Sequence, residues 1–381
     1  MSAFQKRFFL QFHLLKQLAN HLSRDFILLF TTFALSTLFT CFYLTSIIHL
    51  HKIGFSSIFP FYVASIDCVH QKNYLFLFGG GSWLDGFGPD QCLADPRFNT
   101  RNAKISMSFS DYEQADFVIF HPNDYNFRLL PKTRPKGQLW VWLDLEPPQK
   151  VSNIYLADNK FNYTASYKMD SDMYLPYAYF INKPEGFVFN RSHFKTFDQK
   201  KKMACWLVSN MGSSFRNRYY YELKKYINID FFTRITRDKS RFNKCDLISQ
   251  YKFYLAFENT NHTDYITEKL WYNSFQCGTI PIVLGAPKAN YFKHQIPEGS
   301  FIHADDFSSP KDLAEYLNIV AENQTLYQSF FNWRKGRDIY FEDAFGTYYC
   351  RVIDCFNKYH PKPHSNYIIS KWFLEGWNHH R

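Results

Sequence analysis

The stretch that most narrows what this chain can fold into runs from Tyr251 to Pro287, YKFYLAFENTNHTDYITEKLWYNSFQCGTIPIVLGAP. Tyr251 to Phe257 is dominated by aromatic and aliphatic residues and is long enough for one buried strand. A polar loop from Glu258 to Asp264 follows. Tyr265 to Gln276 then reads as a helix, closed by Gly278 at its C-terminal stop. Thr279 to Leu284 is a second buried strand. Strand, polar loop, helix and strand make one βαβ unit. Parallel strands joined this way belong to open α/β sheets, which place ligands beyond the carboxyl ends of their strands.

The expected helix has two faces. Ile266, Leu270, Ser274 and Cys277 fall near helical spacing and suit packing on the sheet. Tyr265, Glu268, Lys269 and Tyr272 share another face. In the first turn the free N–H groups and the positive dipole end favour an anion, which suits Lys269. Glu268 would repel a diphosphate and is better matched to the hydroxyls of a cis-diol such as ribose. By pattern alone a surface charge pair on an amphipathic helix is an equal alternative.

At 381 residues the chain has room for two domains. Its net charge of +10 is spread out, with one tight run at Lys200-Lys201-Lys202. No nucleic-acid motif accompanies that charge, so no nucleic-acid partner is expected; a nucleotide-diphosphate ligand is the simpler match. Aromatics make up 20% of the chain, enough for sugar-stacking surfaces as well as core.

Residues 26–48 contain no formal charge and are long enough to cross a bilayer. Lys6, Arg7, Lys16 and Arg24 precede them, which predicts a cytosolic tail at 1–25, a signal anchor at 26–48 and everything later on the far side. A stem at 49–70 follows. Sequons at Asn162, Asn190, Asn261 and Asn323 agree with a glycosylating compartment. Seven cysteines lie beyond the span, so at least one is unpaired. Cys277 is the expected free thiol because it lies on the buried helix face. Cys68, Cys92, Cys205, Cys245, Cys350 and Cys355 are the disulfide candidates.

Further buried strands are expected at Tyr74 to Phe78, Asp116 to His121, Gln138 to Asp144 and Ala204 to Val208, with a helix from Phe215 to Tyr226. Gly79-Gly80-Gly81 lacks the ending of a phosphate-binding loop and reads as a plain turn. The composition between Phe180 and Met203 is that of a linker. The boundaries expected are therefore an α/β domain at 71–185, a linker at 186–203, a second α/β domain at 204–345 and a tail at 346–381. Repeated strand–loop–helix units on both sides of the linker suggest two doubly wound domains facing one cleft.

The segments Phe253-Tyr254-Leu255-Ala256-Phe257-Glu258-Asn259, Asp264-Tyr265-Ile266-Thr267-Glu268-Lys269-Leu270 and Pro281-Ile282-Val283-Leu284-Gly285 closely resemble the signature of the α1,3-fucosyltransferases, glycosyltransferase family 10. The likeness extends over Trp140 to Pro176, Trp206 to Tyr220, Phe301-Ile302-His303, Asp305-Asp306-Phe307 and Phe331-Asn332-Trp333-Arg334. It implies a glycosyltransferase B fold of two Rossmann-like domains behind a transmembrane helix. It also implies a Golgi type II enzyme that moves fucose, with inversion, from GDP-β-L-fucose to O3 of N-acetylglucosamine on glycoprotein or other glycans. Glu146 matches the family's presumed base, with Pro147 where serine is usual. Arg216, Tyr265, Glu268 and Lys269 match the residues that hold the donor, with Asn259, Ser209 and Asn210 adding hydrogen bonds. Phe120 to Asp124 stands where Lewis-type members carry a His-His-Arg/Trp-Asp/Glu patch; His121 and Asp124 are the acceptor-side candidates, and the departure leaves a Lewis-type antenna and the innermost core N-acetylglucosamine of an N-glycan both open. Cys350 and Cys355 resemble a C-terminal pair that bonds back to the first domain.

This chemistry needs one proton acceptor for the incoming hydroxyl and cations for the departing diphosphate. Without the resemblance, Glu146 would read as a solvated loop carboxylate. A metal-dependent alternative rests on Asp170-Ser171-Asp172, and Asp144-Leu145-Glu146 is similar. The expectation is no essential metal ligand, with Mn²⁺ stimulation left open. The non-enzymatic alternatives are a glycan-binding relic of the same fold and a membrane-anchored interaction protein.

Overall fold

A computed structural model of the chain describes residues 74–79, 89–122, 127–183, 194–233, 243–341 and 347–377. The expected tail, membrane span and stem, together with Cys68, Asp124 and Asn190, lie outside them. Among the described residues no helix is long and apolar enough to cross a membrane.

Two sheets carry the architecture. The first holds β1 (Tyr74–Gly79), β2 (Ala103–Ser106), β3 (Phe117–Phe120), β4 (Leu139–Asp144), β5 (Tyr163–Ser166) and β6 (Met173–Tyr174). A short pair member, β7 (Ala178–Asn182), leads out of it. The second holds β8 (Lys202–Leu207), β9 (Ile229–Phe232), β10 (Tyr251–Phe257), β11 (Ile280–Leu284) and β12 (Ile302–His303). Strand β13 (Arg337–Phe341) returns to pair antiparallel with β7.

Within each main sheet the neighbours are parallel. The first runs β2-β1-β3-β4-β5-β6 and the second β12-β11-β10-β8-β9. Numbered from its own start, the first sheet has the order 2-1-3-4-5-6 and the second 2-1-3-4-5, each with a switch point between its first and third strands. In the second sheet those strands are β8 and β10, so the loops after Leu207 and Phe257 should flank a ligand crevice.

The strands form where continuous apolar runs predict them, because parallel strands are covered on both faces. All five residues of β11 are buried, as are six of the seven in β10. The first sheet completes its cover with distant residues. Phe356, on the helix Thr347–Tyr359, packs on Phe117, Tyr74 and Phe76 at centroid distances of 4.5, 5.4 and 6.1 Å. Phe373, on the helix Ile369–Leu374, packs edge-on against Trp142 at 4.5 Å. Truncating such a buried aromatic costs about 3–5 kcal/mol, so the tail is part of the first lobe's core.

Several expectations are corrected. The disulfides are Cys92–Cys350 and Cys245–Cys277, whereas Cys205 and Cys355 are free. Cys277 is thus bonded, not the spare thiol: burial on the helix face is equally compatible with a partner on the adjacent helix Lys244–Ile248. Lys200, the first of the lysine run, lies inside the fold. It is buried and donates to the carbonyls of Ser249 (2.7 Å) and Tyr251 (3.2 Å), and burial lowers its pKa to about 7. The helix expected at Phe215 to Tyr226 spans Ser214–Leu223.

The helix expected from Tyr265 begins later. Asp264 sits in the left-handed region at φ 62°, and the helical segment is a single π-helical stretch, Lys269–Phe275. Tyr265 to Thr267 stay outside it because their polar groups are used elsewhere: the Thr267 N–H and hydroxyl bond the buried Glu258 carboxylate. Asn261 is buried, at 7% exposure, so its sequon is closed to a glycan in the folded chain. The Asn162 side chain is also engaged, accepting from Arg134 and Trp140 and donating to the His364 carbonyl. Asn323 is exposed and caps the helix Gln324–Ser329 through Oδ1.

Candidate active site

The switch-point loops of the second sheet and the loop after β4 of the first meet at a cleft of about 400 Å³. The first lobe contributes Glu146, Lys150 and Tyr177. The second contributes Ser209, Asn210, Arg216, Asn259, Tyr265, Glu268 and Lys269. Eight residues singled out from the sequence therefore share one cavity, although they come from five separate segments.

Glu146 is fixed by its loop. Its backbone N–H donates to Asp144 Oδ1 at 2.8 Å, and the Tyr177 hydroxyl donates to the Leu145 carbonyl at 2.7 Å. Pro147 adopts an extended conformation (φ −77°, ψ 163°) and starts the tight turn Pro148–Lys150. Burial raises the Glu146 pKa; Lys269 and Lys150 oppose that shift and Glu268 adds to it. A carboxylate made more basic by partial burial suits proton abstraction near neutral pH. Asp144 is fully buried, and burial raises its pKa well above the carboxylate range; Oδ2 has no hydrogen-bond partner. Through Oδ1, Asp144 holds the Glu146 backbone.

Arg216 is buried at 2% exposure. Its two terminal nitrogens donate to the carbonyls of Phe257 and Asn210, which tie it to the ends of β10 and the loop after β8. Nε is buried without a partner, as is Asn259 Oδ1. A donor and an acceptor left unsatisfied at one cleft mark a place where a ligand makes up the missing bonds.

Lys269 lies in a carboxylate cage. Its Nζ is 3.0 Å from Glu258 Oε2, 3.1 Å from Glu268 Oε1 and 2.8 Å from Thr267 Oγ1. Burial works against its charge, but Glu258 and Glu268 outweigh that and raise its pKa. Glu268 moves the other way: burial would raise it, and Lys269 lowers it. Glu258, which the sequence reading left in a plain polar loop, is therefore the buried anchor of the cation. Its signals in the sequence are its place directly after β10 and its inclusion in the segment Phe253 to Asn259 that resembles the family signature. Gly285 makes room for it: a Cβ there would meet Glu258 Cβ at 2.7 Å, at φ +145°.

The loop between β10 and the π-helix is also pinned to the rest of the fold. His262 accepts from the Tyr167 hydroxyl at 2.8 Å and donates to the Phe373 carbonyl at 3.0 Å. Burial holds it neutral, with a pKa lowered to about 4. Asp264 accepts from the Met169 N–H at 3.1 Å and pairs with His294 at 3.2 Å. Gln149 reaches across the cleft to the Asn259 carbonyl at 3.2 Å.

His121 lines a small adjoining cavity of about 30 Å³ that also touches Glu146, Tyr177, Tyr348 and Tyr349. The Asp170-Ser171-Asp172 motif is elsewhere. Asp172 is spent on Thr164 and His364, and Asp170 faces solvent beside Lys168. Neither lines the cleft. Among the described residues no three His, Cys, Asp or Glu side chains cluster as metal ligands.

Two family models match the chain: "Fucosyltransferase, N-terminal" over residues 72–178 and "Glycosyltransferase family 10 (fucosyltransferase) C-term" over residues 197–372. The chain belongs to glycosyltransferase family 10, the fucosyltransferases. Among curated relatives of this fucosyltransferase, the mouse (Mus musculus) 4-galactosyl-N-acetylglucosaminide 3-alpha-L-fucosyltransferase 9 is 37% identical over 310 residues, 78% of this chain and 81% of the relative. Human (Homo sapiens) 3-galactosyl-N-acetylglucosaminide 4-alpha-L-fucosyltransferase FUT3 is 39% identical over 244 residues, 62% of this chain and 66% of the relative. A solved structure described as an alpha1,3-fucosyltransferase with GDP-fucose aligns with a TM-score of 0.40 at 16% identity, covering 76% of this chain and 91% of that one.

Proposed function

We propose that this fucosyltransferase transfers L-fucose from GDP-β-L-fucose to O3 of an N-acetylglucosamine on a glycoprotein glycan, with inversion at the fucose anomeric carbon. The observation that carries the reading is the single cleft in which Glu146 of the first lobe faces Arg216 and Lys269 of the second. Glu146 takes the proton from the acceptor hydroxyl as its oxygen attacks the anomeric carbon. The bond from that carbon to the diphosphate breaks on the opposite side, and GDP leaves with the electron pair.

Arg216 and Lys269 balance the charge on the leaving diphosphate, Arg216 through its unpartnered Nε. Glu268, more exposed than Glu258, is placed to accept from the ribose hydroxyls. Ser209, Asn210 and Asn259 complete the polar wall around the donor, and Tyr265 shapes the fucose pocket. His121, beside Glu146, belongs to the acceptor side. The uncharged span at 26–48, with basic residues before it, supports anchorage in the Golgi membrane with the catalytic part in the lumen.

The test is GDP release by the full-length protein, with and without a glycan ending in N-acetylglucosamine. Glu146→Gln should lose at least about 100-fold of acceptor-dependent release, the scale of a general base, while GDP still binds. Arg216→Lys should instead weaken GDP binding. Equal turnover in Glu146→Gln removes that residue from the mechanism.

A further inference from the structure

A second cavity, of about 370 Å³, shares no lining residue with the catalytic cleft. Its size falls within the roughly 300–1,000 Å³ typical of small-molecule sites. It is formed where the β7–β13 pair, the turn before β6 and the helix Thr347–Tyr359 come together.

Tyrosine dominates its surface. The rings of Tyr179 and Tyr340, paired across β7 and β13, lie 5.0 Å apart. Arg351 stands 5.4 Å from the Tyr179 ring, and Arg97 donates to the Tyr340 hydroxyl at 2.8 Å. Tyr359, at the end of the tail helix, is 72% exposed.

Of the five charged residues that line it, four are held in ion pairs or hydrogen bonds, and Arg351 adds a guanidinium. Arg97 is gripped by Asp95, Lys358 pairs with Asp354 at 2.8 Å, and Asp172 pairs with His364 at 2.9 Å. That balance decides the ligand chemistry. An anion would meet the Asp172 and Asp354 carboxylates. A wholly apolar molecule would strip water from the ion pairs and return no hydrogen bond. A neutral pyranose meets both demands: its C–H face covers a tyrosine ring, and its hydroxyls donate to carboxylates and accept from guanidinium and ammonium groups.

We propose that this cavity is a second saccharide-binding site, taking a neutral sugar unit of the acceptor's glycan while another branch occupies the catalytic cleft. Holding a branched glycan at two points raises the local concentration of the reacting branch without any new contact at the reacting atoms. The proposal extends the transfer reading, but its first readout is binding, so it survives or fails independently of turnover.

The experiment is calorimetric titration of the full-length protein, saturated with GDP, using a neutral biantennary N-glycan ending in N-acetylglucosamine. The expected result is two binding events, one of which weakens about tenfold in Tyr359→Ala, the loss of one sugar–aromatic contact. The KM for a biantennary glycoprotein should rise in the same variant, while kcat and KM for a single N-acetylglucosamine-terminated branch stay unchanged. Tyr179→Phe, which keeps the ring, should retain both events. Binding that Tyr359→Ala leaves untouched, whether one event or two, overturns the proposal, whereas a single event that the variant weakens would keep the second cavity and remove the acceptor from the catalytic cleft.

Discussion

Replacing Glu258 by glutamine tests the electrostatic arrangement of the donor lobe most directly. Glu258 is 1% exposed and holds Lys269 at 3.0 Å, with Thr267 donating to it from both backbone and hydroxyl. Removing one member of a buried ion pair costs about 3–5 kcal/mol. Lys269 keeps Glu268, but that side chain is 43% exposed and its attraction is screened. The net loss should therefore be about 2–3 kcal/mol, or roughly 3–5 °C in Tm for the compact unit Lys72–Arg381.

The sign with pH follows from the raised Lys269 pKa. Its stabilisation is complete below the unfolded value of about 10.5 and fades only as pH climbs through the higher folded value. Glu258 works the other way: burial raises its pKa although Lys269 opposes the shift, so the advantage of wild type over Glu258→Gln should shrink as pH rises from the ordinary glutamate value toward the folded one. The deciding measurement is a double-mutant cycle by urea denaturation with Lys269→Met. That single change leaves Glu258 buried and unpaired, so adding Glu258→Gln should recover stability, with a coupling above about 1 kcal/mol. A coupling near zero would show that the two side chains are neighbours without being partners.

Asp144→Asn should remove one contribution to the pH dependence of stability: the raised folded pKa means the wild type loses stability as pH rises from about 4 toward that value, so urea melts should show the variant gaining on wild type from pH 5 to pH 8. Cys350→Ser opens the bond to Cys92 and should lower stability by about 2–5 kcal/mol, read as a drop in Tm that reducing agent exceeds in the wild type because it opens Cys245–Cys277 as well. Glycopeptide mass spectrometry should find glycan at Asn323 and none at Asn261, since the first is exposed and the second buried.

The sheets were legible because their strands are uninterrupted apolar runs: Tyr251–Phe257 was read to the residue. The cleft was legible because glutamate, arginine and lysine stand where strands end or helices begin, and the family signature named them. What escaped depended on partners distant in sequence. Nothing near Glu258 reveals that Thr267 and Lys269 fold back onto it. Helical spacing through Tyr265 to Gln276 hid a start delayed by the left-handed Asp264 and by Thr267's bonds to Glu258. Cysteine counting showed that a thiol must be spare, but burial alone could not distinguish bonded Cys277 from free Cys205.

The tail helix that lies over β1 and β3 imposes an order on biosynthesis. Cys92 emerges from the ribosome 258 residues ahead of Cys350. At about 5–20 residues per second that is a delay of roughly 10–50 s. Throughout it the aromatic face that Phe356 will cover has no lid, and the Cys92 thiol is open to exchange. The Cys245–Cys277 loop, only 32 residues long, closes far sooner. A stop codon before residue 347 would therefore strand the earliest-made sheet half-built, although every residue of its own strands had been translated.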